Sequence, residues 1–288
     1  MYHQVVIIGA GPVGGRLATE LASRGISTLM IEEHAEIGRP FQCAGLVNPP
    51  AMNMVNLHET ILQDIDGAII HSPSGIAVPV GQDGKTRTHV VCRKRFDQGV
   101  VAQAMSAGAH LWLLSKPIDA TVTQNGVNLK IQREGETVDI TCDLLVGADG
   151  AHSWTRRHFR LGRPKEMMIG FQADVSGLTG KSNWLEMYTG SEVAPGLFAW
   201  VIPSGNNTHR IGVWSRPQDL DGRSVEQCYD TLLSHPLWRE KFADVKEIAR
   251  YCGPVPCGVI QKPFKDRVMV IGDAAGMAVG SEGTVFIV

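Results

Sequence analysis

Gln4-Val5-Val6-Ile7-Ile8-Gly9-Ala10-Gly11-Pro12-Val13-Gly14, followed by Thr28-Leu29-Met30-Ile31-Glu32-Glu33, is the stretch that decides the fold. The apolar run reads as a buried strand that ends at Gly9. A helix is expected from Pro12 to Arg24, with Leu17, Ala18, Leu21 and Ala22 on one face. Pro12 suits a first helical turn, where its missing N–H costs nothing, and Gly25 stops the helix. The second strand ends at Glu32. In such a strand–turn–helix–strand unit Gly9 permits the tight turn, Gly11 lets backbone approach a pyrophosphate, and Gly14 lets helix and strand pack closely. The helix N-terminus, with Pro12 and Val13, offers unpaired N–H groups and a positive dipole end. Glu32 is placed to accept from ribose hydroxyls, with Glu33 one step past the strand as second choice. A glycine-rich turn alone is weak evidence; the flanking strand, helix and acid strengthen it.

Working outward, two further buried-type strands end in turns that carry an aspartate. One is Cys142-Asp143-Leu144-Leu145-Val146-Gly147-Ala148-Asp149-Gly150, the other Val268-Met269-Val270-Ile271-Gly272-Asp273-Ala274-Ala275-Gly276. Doubly wound sheets bind ligands at such strand ends. Each taken singly reads equally as a turn with an Asp cap. In their order and spacing the three motifs resemble those of the FAD-dependent hydroxylase superfamily. That resemblance implies FAD as cofactor. The first motif would hold its adenosine half, Asp149 and Gly150 would lie by the pyrophosphate, and Gly272 and Asp273 would meet the ribityl chain. It also implies that Arg93, in Arg93-Lys94-Arg95-Phe96-Asp97, lies against FAD; the plainer reading is a basic turn before a helix, which suits Lys94 and Arg95 better.

Two segments narrow the resemblance to the geranylgeranyl reductase family. Glu36-Ile37-Gly38-Arg39-Pro40-Phe41-Gln42-Cys43-Ala44-Gly45-Leu46 is similar to that family's cysteine loop, which implies Cys43 and Ala44 near the flavin. Ala194-Pro195-Gly196-Leu197-Phe198-Ala199-Trp200-Val201-Ile202-Pro203 is similar to its aromatic-x-Trp-x-aromatic-Pro strand, which implies Phe198 and Trp200 on the wall of a substrate cavity. Strand alternation puts both on one face, which suits an ordinary core as well as a cavity. Members saturate isoprenoid double bonds on lipids, chlorophyll precursors or quinones. A flavin-dependent halogenase or aromatic hydroxylase is the rival reading: Ile202-Pro203 matches the halogenase ending, but Phe198 stands for its first Trp, and Lys85 sits in an ordinary turn sequence. The electron donor would be NAD(P)H or ferredoxin.

In the chemistry that this resemblance implies, reduced flavin passes a hydride to one alkene carbon and the other carbon needs a proton. A free cysteine, with an ordinary pKa of roughly 8.5, is mostly a proton-bearing thiol at neutral pH. Cys43 is therefore the candidate catalytic acid, its alternative being simple packing of the loop. His34, His152 and His209 lie near the motifs, but no constellation needs them.

The fold expected is α/β: a Rossmann-like FAD-binding domain on a parallel sheet, with an inserted, mainly antiparallel, β-rich substrate domain. The approximate division is 1–75, 93–160 and 250–288 for the first and 76–92 and 161–249 for the second. Further helices are expected over 96–107 and 224–243. The chain has 288 residues and a formal net charge of −2, so no basic face argues for nucleic acid. Its six cysteines form no CxxC pair and no zinc pattern, so no metal is expected. No signal peptide and no apolar run of membrane-spanning length is visible, which points to the cytoplasm, with peripheral membrane contact and oligomeric state open. After Gly276 the resemblance weakens. Gly280 stands where relatives carry a Pro, and only Gly283 survives from a glycine run that opens a long helix. The chain thus reads as truncated, frame-shifted or diverged, and a non-catalytic FAD-binding remnant is the third reading.

Overall fold

The computed structural model describes residues 1–40, 43–180 and 183–278. The expectations placed on Gly280, Gly283 and the apolar ending lie outside them, as do Phe41 and Gln42 of the cysteine loop. The α/β fold is as expected. An eight-stranded sheet carries five parallel strands in the spatial order Val268–Val270, Glu136–Gly147, Tyr2–Ile8, Thr28–Ile31 and His110–Trp112. Central strands in such a sheet are covered on both faces, which is why Val5–Ile8 and Thr28–Ile31 are uniformly apolar or small rather than alternating.

One face of this sheet is covered by the helices Pro12–Ala22 and Arg93–Ser106. They approach closely because Gly15 has no side chain; a Cβ there would sit 2.9 Å from Val100 Cγ1. The other face is covered by the antiparallel meander of Ser115–Thr123, Gly126–Arg133 and the first part (136–142) of the long strand Glu136–Gly147, which buries Leu129 and Ile131, and by the short helix Trp154–His158.

A second, seven-stranded sheet has the order Lys246–Cys257, Glu166–Ser176, Thr208–Ser215, Ala194–Pro203, Trp184–Gly190, Gly67–His71 and Ala77–Gly81. All its pairs are antiparallel except Trp184–Gly190 with Gly67–His71. A small three-stranded sheet is formed by Leu46–Val47, Thr88–Val91 and Ile61–Ile65, with the strands Gly67–His71 and Ala77–Gly81 of the seven-stranded sheet falling between its last two in sequence. The outer face of the seven-stranded sheet buries Tyr188, Val201, Ile211 and Val213 against the helix Val225–Ser234 and against Trp238 and Phe242. That helix stops at Ser234, short of the expected 243. His235 precedes Pro236, and a residue before proline is pushed out of the helical region. The helix over 96–107 begins three residues earlier than expected, at Arg93.

A charged cluster lies on this outer face. The Glu186 carboxylate accepts from Tyr188 Oη at 2.7 Å, lies 2.8 Å from His71 Nε2, and pairs with Lys241. Burial alone would raise its pKa, but the bonds from His71 and Lys241, the Lys241 charge and the Tyr188 bond outweigh it and hold the carboxyl down at about 2. A depressed carboxylate stabilises the fold above its unfolded pKa and loses that contribution as pH falls through the folded value. Roughly 3 kcal/mol should therefore disappear between about pH 4.5 and 2. Urea melts at stepped pH should show this acid loss in the native sequence and a flatter profile in Glu186→Gln.

Candidate functional site

Register brings the motifs together. Ile8 pairs with both Gly147 and Ile31, and Gly147 pairs with Val270. The turns that leave these four strands therefore emerge side by side at one sheet edge. Backbone bonds tie them: Gly9 N donates to Ile31 O (2.8 Å), Ala148 N to Ile8 O (2.7 Å), and Ile271 N to Gly147 O (2.9 Å).

The glycines of the first turn do different work. Gly9 has φ +98°, and a Cβ on it would lie 2.4 Å from Ala148 O. A Cβ on Gly14 would lie 2.1 Å from Gly9 O, so the helix can seat on the turn only without a side chain there. At Gly11 φ is −75°, open to any residue, and a Cβ would meet no atom of the described residues within 4 Å. Among the described residues nothing requires a glycine at that position, and the space over it is open. Pro12 begins the helix, no side chain caps it, and no acidic residue sits in its first turn. Its first N–H groups face a space with a positive dipole end, a cradle that fits a pyrophosphate. Val13 reaches the third motif: a Cβ on Gly272 would lie 3.1 Å from Val13 Cγ2.

Glu32 stands at the end of its strand, mostly buried. Its Oε2 accepts from Ala10 N at 3.0 Å, and its Oε1 accepts from His34 N at 3.1 Å and lies 2.6 Å from His34 Nδ1. The carboxylate is thus fixed beside the glycine turn, with His34 as a support that spacing alone did not reveal. Glu33 is exposed.

Asp149 turns back on its own loop. Its Oδ2 accepts from both Thr155 N and Thr155 Oγ1 at 2.9 Å, while its buried Oδ1 has no partner among the described residues. Gly150 follows with φ +68°. The link to the third motif is Arg156, which the sequence reading missed. It is buried, and donates from Nη1 to Ala274 O and from Nη2 to Ala151 O, both at 2.8 Å. One guanidinium fork therefore sets the Asp-Gly turn against the Gly-Asp turn. Asp273 is reachable by solvent, yet crowding by protein pushes its carboxyl above the ordinary carboxylate range, with the Arg93 charge pulling the other way.

Arg93 opens its helix and is nearly buried. It donates from Nε and Nη2 to the two oxygens of Asp97, both at 3.0 Å. Burial opposes its charge, but Cys43 and Asp97 beside it outweigh that and hold its pKa above the usual guanidinium value. Arg93 thus adjoins Cys43 on one side and faces Asp273 on another. Cys43 is half-buried, and its Sγ accepts from Gly45 N at 3.3 Å. A second missed residue, Arg210, reaches across from the seven-stranded sheet. It is buried, and donates to Ala44 O at 2.6 Å and Val91 O at 3.2 Å, pinning the cysteine loop and the strand that leads into Arg93.

Phe198 and Trp200 do share a face, the one opposite the Glu186 cluster. Phe198 is buried edge-on against Trp214 with ring centroids 5.4 Å apart, and contributes to a small cluster with Met168 and Cys257. Trp200 is half-buried and touches both this cluster and the one containing Leu46 and Ile202, against which Ala44 also packs. The indole N–H groups of Trp200 and Trp214 are buried with no partner among the described residues. Phe198 is therefore a core residue of that face, and Trp200 its partly open border toward the cysteine loop. Among the described residues no cluster of His, Cys, Asp and Glu could hold a metal ion, and no helix is long and apolar enough to cross a membrane.

Comparison with known proteins gives a consistent picture. The family model described as FAD binding domain matches residues 2–284. The chain is 31% identical over 282 residues to the digeranylgeranylglycerophospholipid reductase of Methanocaldococcus jannaschii, covering 95% of this chain and 70% of that protein. It is 29% identical to digeranylgeranylglycerophospholipid reductase 2 of Methanopyrus kandleri, covering 96% and 71%. Among solved structures it is similar to a geranylgeranyl bacteriochlorophyll reductase-like protein from Thermoplasma acidophilum, with TM-score 0.88, 25% identity, and 96% and 72% of the two chains covered. A flavin-dependent brominase shares the fold at TM-score 0.79 and 19% identity, covering 96% and 72%.

Proposed function

This chain belongs to the FAD-binding domain family and, within it, to the geranylgeranyl reductases, and on that premise we propose that it saturates isoprenoid double bonds of a lipid as an FAD-dependent oxidoreductase. The observation that carries the reading is the in-register convergence of the Gly9, Asp149 and Gly272 turns, with a half-open apolar sheet face from which Arg210 reaches the cysteine loop at Ala44 and the strand that leads into Arg93.

FAD, when bound, supplies hydride transfer. The chain's own residues hold and orient it. Gly11 leaves room for the pyrophosphate over the helix N-terminus at Pro12, Val13 and Gly14, and Glu32 offers its remaining lone pairs to ribose. Gly150, Gly272 and Asp273 lie on the two turns that Arg156 ties together. Asp149 acts first on its own turn, through Thr155. Glu33, exposed one step further on, is at most a peripheral contact.

An isolated alkene has no electron-withdrawing group, so a proton must reach its second carbon. Arg93, held above the usual guanidinium value, keeps its charge and cannot deliver that proton. Cys43, beside it and half-buried, is the proton holder we assign, with Ala44 as its anchor to Arg210. Cys43→Ser should leave FAD affinity unchanged and slow alkene reduction by about a hundredfold or more, the scale of losing a positioned acid. Unchanged turnover would remove Cys43 from the chemistry. Trp200 bounds the substrate cavity, with Phe198 behind it as its support.

Halogenase or hydroxylase chemistry is less well supported. The brominase likeness is one of fold, and Lys85 lies on an exposed turn, its N–H donating to Gln82 O. The first test is the visible spectrum of the purified protein with and without added FAD. A bound-flavin spectrum, followed by anaerobic reduction with NADPH or reduced ferredoxin and hydrogenation of a digeranylgeranyl glycerophospholipid, is the expected result. A colourless protein that cannot be reconstituted would leave a non-catalytic remnant as the reading.

A further inference from the structure

Strand register lays one row of apolar side chains across the seven-stranded sheet. Trp200 is paired with Met187, Met187 with Ile70, and Ile70 with Val78. Directly paired residues present their side chains to the same face, so these four form a line on the side that carries Trp200. A parallel row follows through Leu185, Ala68 and Val80. With neighbouring strands about 4.8 Å apart, the row runs roughly 14 Å from Trp200 to the sheet edge. Burial falls along it: Trp200, Met187 and Ile70 are half-buried, whereas Val78 and Val80 at the edge are 51% and 54% exposed. Ile76, in the turn before that strand, is 64% exposed. Leu237, itself exposed, adjoins the same turn at Gly75.

An apolar patch at the open end of an apolar row marks an interaction surface. Its chemistry argues for a lipid surface over another protein strand. An edge strand invites a further strand, but Pro79 in the middle of this one removes a backbone donor from the ladder. The side chains of the face stay available. Lys85 and Arg87, both exposed, follow on the loop that leaves the strand and offer positive charge to anionic headgroups. The one acid of that loop, Asp83, is engaged by the Trp184 indole at 2.5 Å.

We infer that the edge formed by Ile76, Val78 and Val80 docks on an anionic lipid surface, and that the row through Ile70 and Met187 leads an acyl or isoprenoid chain from that surface to Trp200. The inference rests on the reading of the chain as a lipid-acting reductase, but its test does not need turnover. Vesicles of phosphatidylcholine and phosphatidylglycerol are sedimented with the native chain and with the Val78→Asp, Val80→Asp double variant. The native chain should bind, and the double variant should bind about tenfold more weakly or worse, since two exposed apolar contacts are lost and charge of the wrong sign added. FAD titration should be the same for both. If the double variant fails to fold, Ile76→Asp, outside the strand, carries the same test. Equal sedimentation of both proteins, no sedimentation of the native chain, or a dimer that the substitutions dissolve in analytical ultracentrifugation would overturn the inference. Vesicle binding lost in the variant, with no isoprenoid reduction by either protein, would uphold the docking surface and sink the reductase reading alone.

Discussion

Gly11→Val should leave the protein folded and weaken FAD binding by about a hundredfold or more, a loss of roughly 2.7 kcal/mol. Gly14→Ala should impair folding and FAD binding together. The two glycines are three residues apart in one motif, yet they answer to different neighbours. The Gly11 backbone is in a region that any residue adopts, and an added Cβ there enters open space. Its substitution costs the apo-protein little beyond a weaker helix N-cap, about 1 kcal/mol. What it fills is the cradle over the unpaired N–H groups of the first turn. At Gly14 even one methyl would lie 2.1 Å from Gly9 O, a backbone atom held by the sheet. The helix must then lift from the turn, at a cost of roughly 1–3 kcal/mol or more. Thermal melts without FAD and flavin-fluorescence titrations separate the two effects. Native-like FAD affinity in a folded Gly11→Val protein would mean that the cofactor does not approach the chain at Gly11.

What could be read before the structure was whatever depends on local pattern. The apolar run Val5–Ile8, the glycines that follow and the acid at Glu32 are all set by short-range rules of strand, turn and helix. The same holds for the strands that end at Gly147 and Val270. What could not be read depends on contacts between distant residues. Arg156 lies in a segment, Trp154–His158, too short and too mixed to signal a helix, and its value comes from two carbonyls, one of them on Ala274. Arg210 sits in an ordinary alternating strand, and only the packing of that strand's sheet against the cysteine loop gives it Ala44 O and Val91 O. The strand Lys246–Cys257 was hidden for a local reason. Gly253, Pro254 and Pro256 argue against a strand, but an edge position tolerates them, and among the described residues this strand's one ladder is to Glu166–Ser176, with a single bridge from Cys257 to Ala278 on its other side. The overlong helix after Ser224 has the converse cause: apolar spacing continued through Trp238 and Phe242, while Pro236 had already closed the helix.

Asp149 shows how a motif can be legible while its mechanics are not. The strand-end aspartate is conspicuous in sequence, but its Oδ2 is committed to Thr155, so its first effect is to shape the turn that Gly150 completes. Residues that build a cofactor site need not aim at the cofactor. Arg156 and Arg210 act by the same route, through backbone carbonyls.

Arg93 is where structural and functional demands overlap, and a pair of variants separates them. Arg93→Met alone should destabilise the protein by about 3–5 kcal/mol, because it leaves the Asp97 carboxylate buried without its bidentate partner. Adding Asp97→Leu should restore most of that stability, since a buried ion pair replaced by apolar side chains of similar size is often close to neutral. The refolded double variant then reports on what Arg93 does beyond Asp97. Arg93 adjoins Cys43, and its charge opposes the upward push that burial exerts on the Asp273 carboxyl. Without that charge the Asp273 carboxyl should titrate higher still, so a pH step in flavin affinity that follows Asp273 should move upward, whereas a purely structural arginine would leave it in place. Urea melts give the stability recovery, and FAD titrations across pH give the displacement. A double variant that folds, binds flavin with the native pH profile and reduces substrate at the native rate would confine Arg93 to holding its helix; a folded protein with a displaced profile and slowed reduction would place its guanidinium in the working site.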